Sequence, residues 1–210
     1  MRPARLGVLL SGRGSNFLAL QEAIGRGELP AEIALVVSNM AEAPGLARAR
    51  ELGLPVAALP HRGEPDRASH ERRVLAALVE AQVEWVCLAG YMRLLSPAFV
   101  AAYPERMVNI HPSLLPAFPG LDAQRQALEH GVRVSGCTVH LVDAGLDSGP
   151  IVVQRAVPVR EADTEETLAA RILEAEHQAY PEALRRLLTE SWEVRGRRLC
   201  FLGGGEVKKV

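Results

Sequence analysis

A rhythm constrains this chain most: through its first half, short apolar runs alternate with longer amphipathic ones. Leu6–Leu10 reads as a strand, Asn16–Ile24 as a helix, Ile33–Ser38 as a strand, and Ala41–Leu52 as a helix stopping at Gly53. Val56–Leu59, Asp66–Ala81 and Trp85–Leu88 continue as strand, helix and strand. Strands that are apolar at nearly every position are buried on both faces. The pattern therefore predicts an α/β fold, Rossmann-like, with a mostly parallel twisted sheet and helices on both faces. Ligands of such sheets lie beyond the carboxyl ends of the strands, which gathers Ser11–Asn16, Ser38-Asn39 and Gly90–Arg93 around one crevice.

The second half changes character. A short helix over Pro97–Ala102 precedes a strand, Arg106–His111, that runs into Pro112, Pro116 and Pro119 and a loop ending at Gly120. A helix over Ala123–Glu129 follows, then two strands, Ser135–Val142 and Ile151–Val159, joined by Asp143–Pro150. Both strands alternate, which suggests an antiparallel extension of the sheet with one solvated face. Asp163 and Glu166 have capping-box spacing before a long helix over Thr164–Leu188, with Pro181 placed to kink it. Val194–Phe201 reads as one last strand, and Gly203-Gly204-Gly205 with the basic end as a frayed tail.

Composition narrows the function classes. A net charge of −1 over 210 residues argues against an electrostatic grip on nucleic acid or membrane. No apolar run approaches the ~20 residues of a membrane span, and Met1–Arg5 leads into the first strand without a signal-peptide pattern. Cys87, Cys137 and Cys200 are scattered and odd in number, so neither a disulfide framework nor a structural zinc is expected, and a reducing cytoplasm is.

Three constellations have chemical content. Ser11-Gly12-Arg13-Gly14-Ser15-Asn16 lies between a strand and a helix, where unpaired N–H groups and a partial positive charge suit a phosphate. It is neither GxGxxG nor a Walker loop, so a phosphomonoester fits better than NAD or ATP; a plain turn capped by Ser15 fits equally. Asn109 and His111, two apart on a strand, project to one face, where both can donate to an oxyanion; a His before Pro can also simply cap a loop. Asp147, between Gly145 and Gly149, is a carboxylate that can hold a histidine's tautomer and favour its imidazolium, or an ordinary turn residue. His61, His70 and His130 are expected to be exposed; His140 and His177 can each be a ligand but are more commonly satisfied and partly buried, and Arg67–Arg73 is expected to be a solvated helix face. No metal-ligand pattern is present.

Together, Leu10–Asn16, Leu88–Ser96, Asn109–Pro116, and Gly136–His140 running on to Leu146–Pro150 resemble the phosphoribosylglycinamide formyltransferases of purine biosynthesis, from about Leu6 to Leu188. The Asn109–Pro116 block resembles users of 10-formyltetrahydrofolate in general; the first block and Glu176 point to this branch. The resemblance implies that Gly14, Ser15 and Asn16 hold the phosphate of glycinamide ribonucleotide and Glu176 its ribose. Met92, Arg93, Leu94, Leu95, Arg67 and Asn109 would meet the folate. Asn109, His111 and Asp147 match the catalytic trio, with Asp147 relaying the amine's proton through a water toward the departing folate nitrogen. Residues 1–189 would form one formyltransferase domain, 1–105 a nucleotide-binding half and 106–189 a catalytic and folate half, with 190–210 a terminal strand and tail. A monomer or homodimer, without metal, is implied. Arg13 stands where the family commonly has a smaller polar residue, either reinforcing phosphate binding or pointing outward. Asp122 and Gln124 stand where many relatives carry histidine. A formyltetrahydrofolate deformylase, a methionyl-tRNA formyltransferase and a non-catalytic binding module are the alternatives; the chain's length leaves no room for the two enzymes' extra domains.

Overall fold

Five parallel strands, β1 (Ala4–Leu10), β2 (Ala31–Ser38), β3 (Val56–Ala58), β4 (Trp85–Leu88) and β5 (Met107–His111), form the first part of one sheet in this computed structural model, which describes residues 2–202. β6 (Val134–Leu141) and β7 (Ile151–Pro158) extend it antiparallel, and β8 (Trp192–Arg195) and β9 (Arg198–Phe201) complete a nine-stranded order β3-β2-β1-β4-β5-β6-β7-β9-β8. The chain builds outward from β1 to β3, then returns to place β4 on the other side of β1. The reversal opens a crevice at the carboxyl ends of β1 and β4.

Among the described residues six helices pack on the sheet: α1 (Ser15–Gly25), α2 (Pro44–Glu51), α3 (Arg67–Glu80), α4 (Pro97–Ala101), α5 (Ala123–Glu129) and α6 (Glu165–Thr189). Strand alternation divides the core. Leu6, Val8 and Leu10 of β1 pack with α1, α2 and α6; Leu9 packs with Val74 and Leu78 of α3 and Phe99 of α4. A Cβ on Gly7 would lie 2.6 Å from Leu78 Cδ2 and 2.9 Å from Val83 Cγ1, so the missing side chain lets α3 close on the sheet. The buried Tyr180 hydroxyl on α6 lies 3.0 Å from the Leu88 carbonyl and 3.1 Å from that of Val108, tying α6 to β4 and β5.

Three local expectations are corrected. Val194–Phe201 is not one strand: Gly196, at φ +62°, turns the chain into the β8–β9 hairpin. Thr164 caps α6 through the Thr167 N–H while the Thr167 hydroxyl accepts the Thr164 N–H; Asp163 is instead engaged by Arg171 at 2.7 Å. β6 has no solvated face beyond Val134, because α6 covers one side and the proline loop the other, where Thr138 Oγ1 donates to the Ser113 carbonyl and accepts the Leu115 N–H. α6 runs unbroken through Pro181. The expected tail, Gly203–Gly205, lies outside the described residues. Among those residues no helix is long and apolar enough to cross a membrane.

Candidate active site

Ser11 joins the three segments expected around the crevice. Its N–H donates to the Gly90 carbonyl (3.0 Å), and its hydroxyl donates to Asn39 Oδ1 (2.6 Å) while accepting the Met92 N–H (2.9 Å). Beyond it, Gly14 is the N-cap of α1 in the left-handed region (φ +74°), and no side chain caps the helix. The capping role open to Ser15 is therefore not taken, leaving first-turn N–H groups free of side-chain partners. The loop is braced from behind by α2, whose Gly45 N–H donates to the Gly12 carbonyl at 3.0 Å.

This loop forms one wall of a cleft of about 640 Å³. Glu166, Ala169, Ala170, Leu173 and Glu176, on one face of α6, form the other. Across it, Asn16 Nδ2 donates to Glu176 Oε2 at 2.7 Å, although the two are 160 residues apart. Burial pushes the Glu176 carboxyl up to about 6, with the Asn16 bond pulling the other way. Asn16 Oδ1 is buried without a partner. Gly14, Ser15, Asn16 and Glu176 thus line one space. A larger hollow, about 810 Å³, opens at the amino ends of β4 and β5 between Trp85, Tyr103 and Trp192, and shares no residue with this cleft.

The second cluster stands at the end of β5. Asn109 and His111 share the strand face that carries Met107, while Ile110 turns to the opposite side and lines the cleft. Antiparallel pairing sets Asn109 opposite His140 of β6, their Nδ2 and Nε2 3.2 Å apart. His140 Nδ1 donates to the Leu141 carbonyl at 2.9 Å, and burial lowers its pKa, so the ring is neutral and its Nε2 lone pair accepts from the Asn109 amide. This fixes which end of the amide is Nδ2. His111 Nε2 donates to the Phe118 carbonyl at 2.8 Å; its Nδ1 faces Asp147 Oδ2 at 3.4 Å. A carbonyl oxygen and a carboxylate oxygen thus stand at the two ring nitrogens. Asp147, at φ +48°, also accepts the Gly120 N–H at 2.8 Å and brings Oδ1 to 3.8 Å from His140 Nε2.

Between the clusters runs the segment after β4. Met92 and Leu94 are exposed, Arg93 and Leu95 half-buried. The segment is fastened by Glu71, a buried carboxylate on α3 that accepts the Ser96 N–H (2.8 Å), the Ser96 hydroxyl and Arg67 Nε (3.0 Å). Burial alone would raise the Glu71 pKa, but these bonds hold it below the usual carboxylate value. The stretch Arg67–Arg73 is thus not wholly a solvated face. His70, expected exposed, is 1% exposed, its Nε2 donating to the Leu59 carbonyl at 2.9 Å. His61 is half-buried against Asn39, His130 exposed, and His177 half-buried with its Nε2 unpartnered. Sequence reasoning left Ser11, Glu71 and His140 without roles. For Glu71 the signal was its place on the Val74–Leu78 stripe; for His140 only strand register reveals it.

The chain matches the formyl transferase family over residues 4–184. It is 51% identical over 87% of its length to the trifunctional purine biosynthetic protein adenosine-3 of Drosophila pseudoobscura pseudoobscura, of which it spans only 14%. To the phosphoribosylglycinamide formyltransferase of Bacillus subtilis it is 41% identical, with 88% of this chain and 94% of that protein covered. The crystal structure of glycinamide ribonucleotide transformylase 1 from Symbiobacterium toebii superposes with a TM-score of 0.93 at 49% identity, covering 96% of this chain and 95% of that one. On this sequence and structural likeness, the chain belongs to the formyl transferase family, in its phosphoribosylglycinamide formyltransferase branch.

Proposed function

We propose that the chain moves the formyl group of 10-formyltetrahydrofolate to the amine of N1-(5-phospho-D-ribosyl)glycinamide, giving the formylated ribonucleotide and tetrahydrofolate, in the cytoplasm, as a monomer or homodimer. One observation carries this reading: the end of β5 separates a donor-rich cluster, Asn109, His111 and Asp147, from a cleft with an uncapped helix terminus and the Asn16–Glu176 pair. Both ligands fit what surrounds them. The α1 N–H groups suit a phosphate, and the unpartnered Asn16 Oδ1 suits a ribose hydroxyl. Met92, which lines the cleft, and its neighbour Leu94 are large, apolar and exposed, which suits contact with a flat folate ring.

In this reading Gly14, Ser15 and Asn16 hold the phosphate, Asn16 through its backbone N–H, and Glu176 holds the ribose beside Asn16 Oδ1. Arg67 and Met92–Leu95 meet the folate. Formyl transfer forms a bond from the amine nitrogen to the formyl carbon and breaks the one to the folate nitrogen, with negative charge gathering on the carbonyl oxygen between. Asn109, its amide oriented by neutral His140, directs its second N–H at that oxygen, and His111 supplies another donor. His111 Nε2 already donates to a carbonyl, that of Phe118, and must exchange it for the substrate's. Asp147 balances the imidazolium and takes the amine's proton, through a water, toward the leaving nitrogen. Holding both reactants at one strand end supplies much of the rate. The test is to mix protein, 10-formyltetrahydrofolate and ribonucleotide and follow folate release. Ribonucleotide-dependent release is expected; release without ribonucleotide identifies a deformylase, and no release a binding module.

A further inference from the structure

Among the described side chains lining the cleft, Arg13 is the only cation, whereas Glu166 and Glu176 contribute two carboxylates. Arg13 sits between Gly12 and Gly14 at the entrance to α1, is exposed, and joins no ion pair among the described residues. Several other arginines are likewise unpaired, so it is the place of Arg13 in the cleft wall, not its lack of a partner, that sets it apart. A second observation independently marks a ligand position beside it: Asn16, 8% exposed, lines the same cleft with its Oδ1 unpartnered, an acceptor that calls for a hydroxyl such as the ribose part of a ribose phosphate carries, at the start of an eleven-residue helix with no side-chain cap.

We propose that Arg13 is a specificity-determining residue that engages the substrate's phosphate alongside the α1 N–H groups. The inference rests on the reading of this cleft as a ribose-phosphate site. A phosphate dianion entering a cleft whose opposite wall carries two carboxylates needs more than the roughly half-charge of a helix terminus. A guanidinium supplies a full charge and a planar fork matched to two phosphate oxygens. Because Arg13 is exposed, its contribution is screened by salt, while that of the N–H groups close to the anion is screened less.

The test compares wild type, Arg13→Gln and Arg13→Lys by steady-state kinetics with the ribonucleotide and by calorimetry with inorganic phosphate. Arg13→Gln is expected to raise the ribonucleotide KM and the phosphate Kd about 10-fold, with kcat and the folate KM within twofold. Its KM should also rise less steeply with salt. Arg13→Lys, keeping the charge without the fork, should recover part of the loss. A ribonucleotide KM and phosphate Kd unchanged in Arg13→Gln would overturn the inference and leave Arg13 a solvent-facing residue. If wild type binds phosphate through Arg13 but forms no product, the formyl-transfer reading fails and this inference stands.

Discussion

Replacing Asp147 by asparagine isolates the charge of one carboxylate with little else disturbed. Asp147 lies in the left-handed region at φ +48°, which asparagine tolerates. An asparagine Oδ1 can still accept the Gly120 N–H that Asp147 accepts at 2.8 Å. What disappears is the negative charge 3.4 Å from His111 Nδ1. Coulomb's law gives about 5 kcal/mol for that separation at an effective dielectric of ~20 and about 1 kcal/mol in bulk water. The side chain is 11% exposed, which puts the effect between these limits, at about 3 kcal/mol. If the imidazolium and its relay are needed in the transition state, kcat falls on the order of 10²-fold. Folate release at saturating substrates measures this, and a melting temperature within a few degrees of wild type shows that the loop has held. A kcat within threefold of wild type, with the melting temperature unchanged, would refute the role given to the Asp147–His111 contact. Alanine would be a poorer probe, since it strands the Gly120 N–H and is strained at this φ.

Three further outcomes follow from the geometry. In Gly45→Ala the new Cβ would stand 2.9 Å from Leu10 Cδ2 and 3.0 Å from the Gly12 carbonyl, so about 1–3 kcal/mol of stability should be lost and the ribonucleotide KM should rise severalfold at constant folate KM; denaturant titration and kinetics check both. Ser15→Ala with Asn16→Ala should raise the ribonucleotide KM at least ~10-fold, and an unchanged KM would mean that neither side chain meets the ribonucleotide. Glu176 has a carboxyl pKa raised from 4.5 to about 6, so its contribution to stability is fully present below pH 4.5 and lost as pH rises through 6; Glu176→Gln should therefore gain about 2 kcal/mol on wild type between pH 4 and 7.5, and a stability difference flat with pH would contradict this.

The parallel half of the sheet was legible because strands buried on both faces advertise themselves by unbroken apolar runs, and the spacing of Asn109 and His111 already placed both on one face. Periodicity within one element carries no information about which element packs beside it. Hence Asn16 and Glu176, 160 residues apart, meet only once α1 and α6 are set side by side, and His140 reaches Asn109 only through the β5–β6 register. Glu71 is a different case. It falls on the Val74–Leu78 stripe of α3, but its charge and its arginine neighbours outweighed its position, because a buried carboxylate makes sense only when its donors, here Ser96 and Arg67, are known. The hairpin at Gly196 was missed because a single glycine inside an alternating run fits a turn or a tolerated strand residue equally well.

Charge presents the opposite problem, since a net charge of −1 suggests no affinity for anions. In the proposed function, binding is set by fields that act over a few ångströms. In the cleft those fields have two sources with different sensitivities. The N–H groups of α1 are positioned by backbone, through Gly14 at φ +74° and the Gly45–Gly12 hydrogen bond, and they respond to packing. Arg13 is exposed and joins no ion pair among the described residues, so its proposed contribution should respond to salt. Gly45→Ala and Arg13→Gln therefore separate them. The first should weaken ribonucleotide binding by a factor that persists in high salt, whereas the loss in the second should shrink as salt is added. If both losses faded together with salt, the helix terminus would be contributing only through exposed charge, and the bracing of the loop by α2 would have no part in recognition.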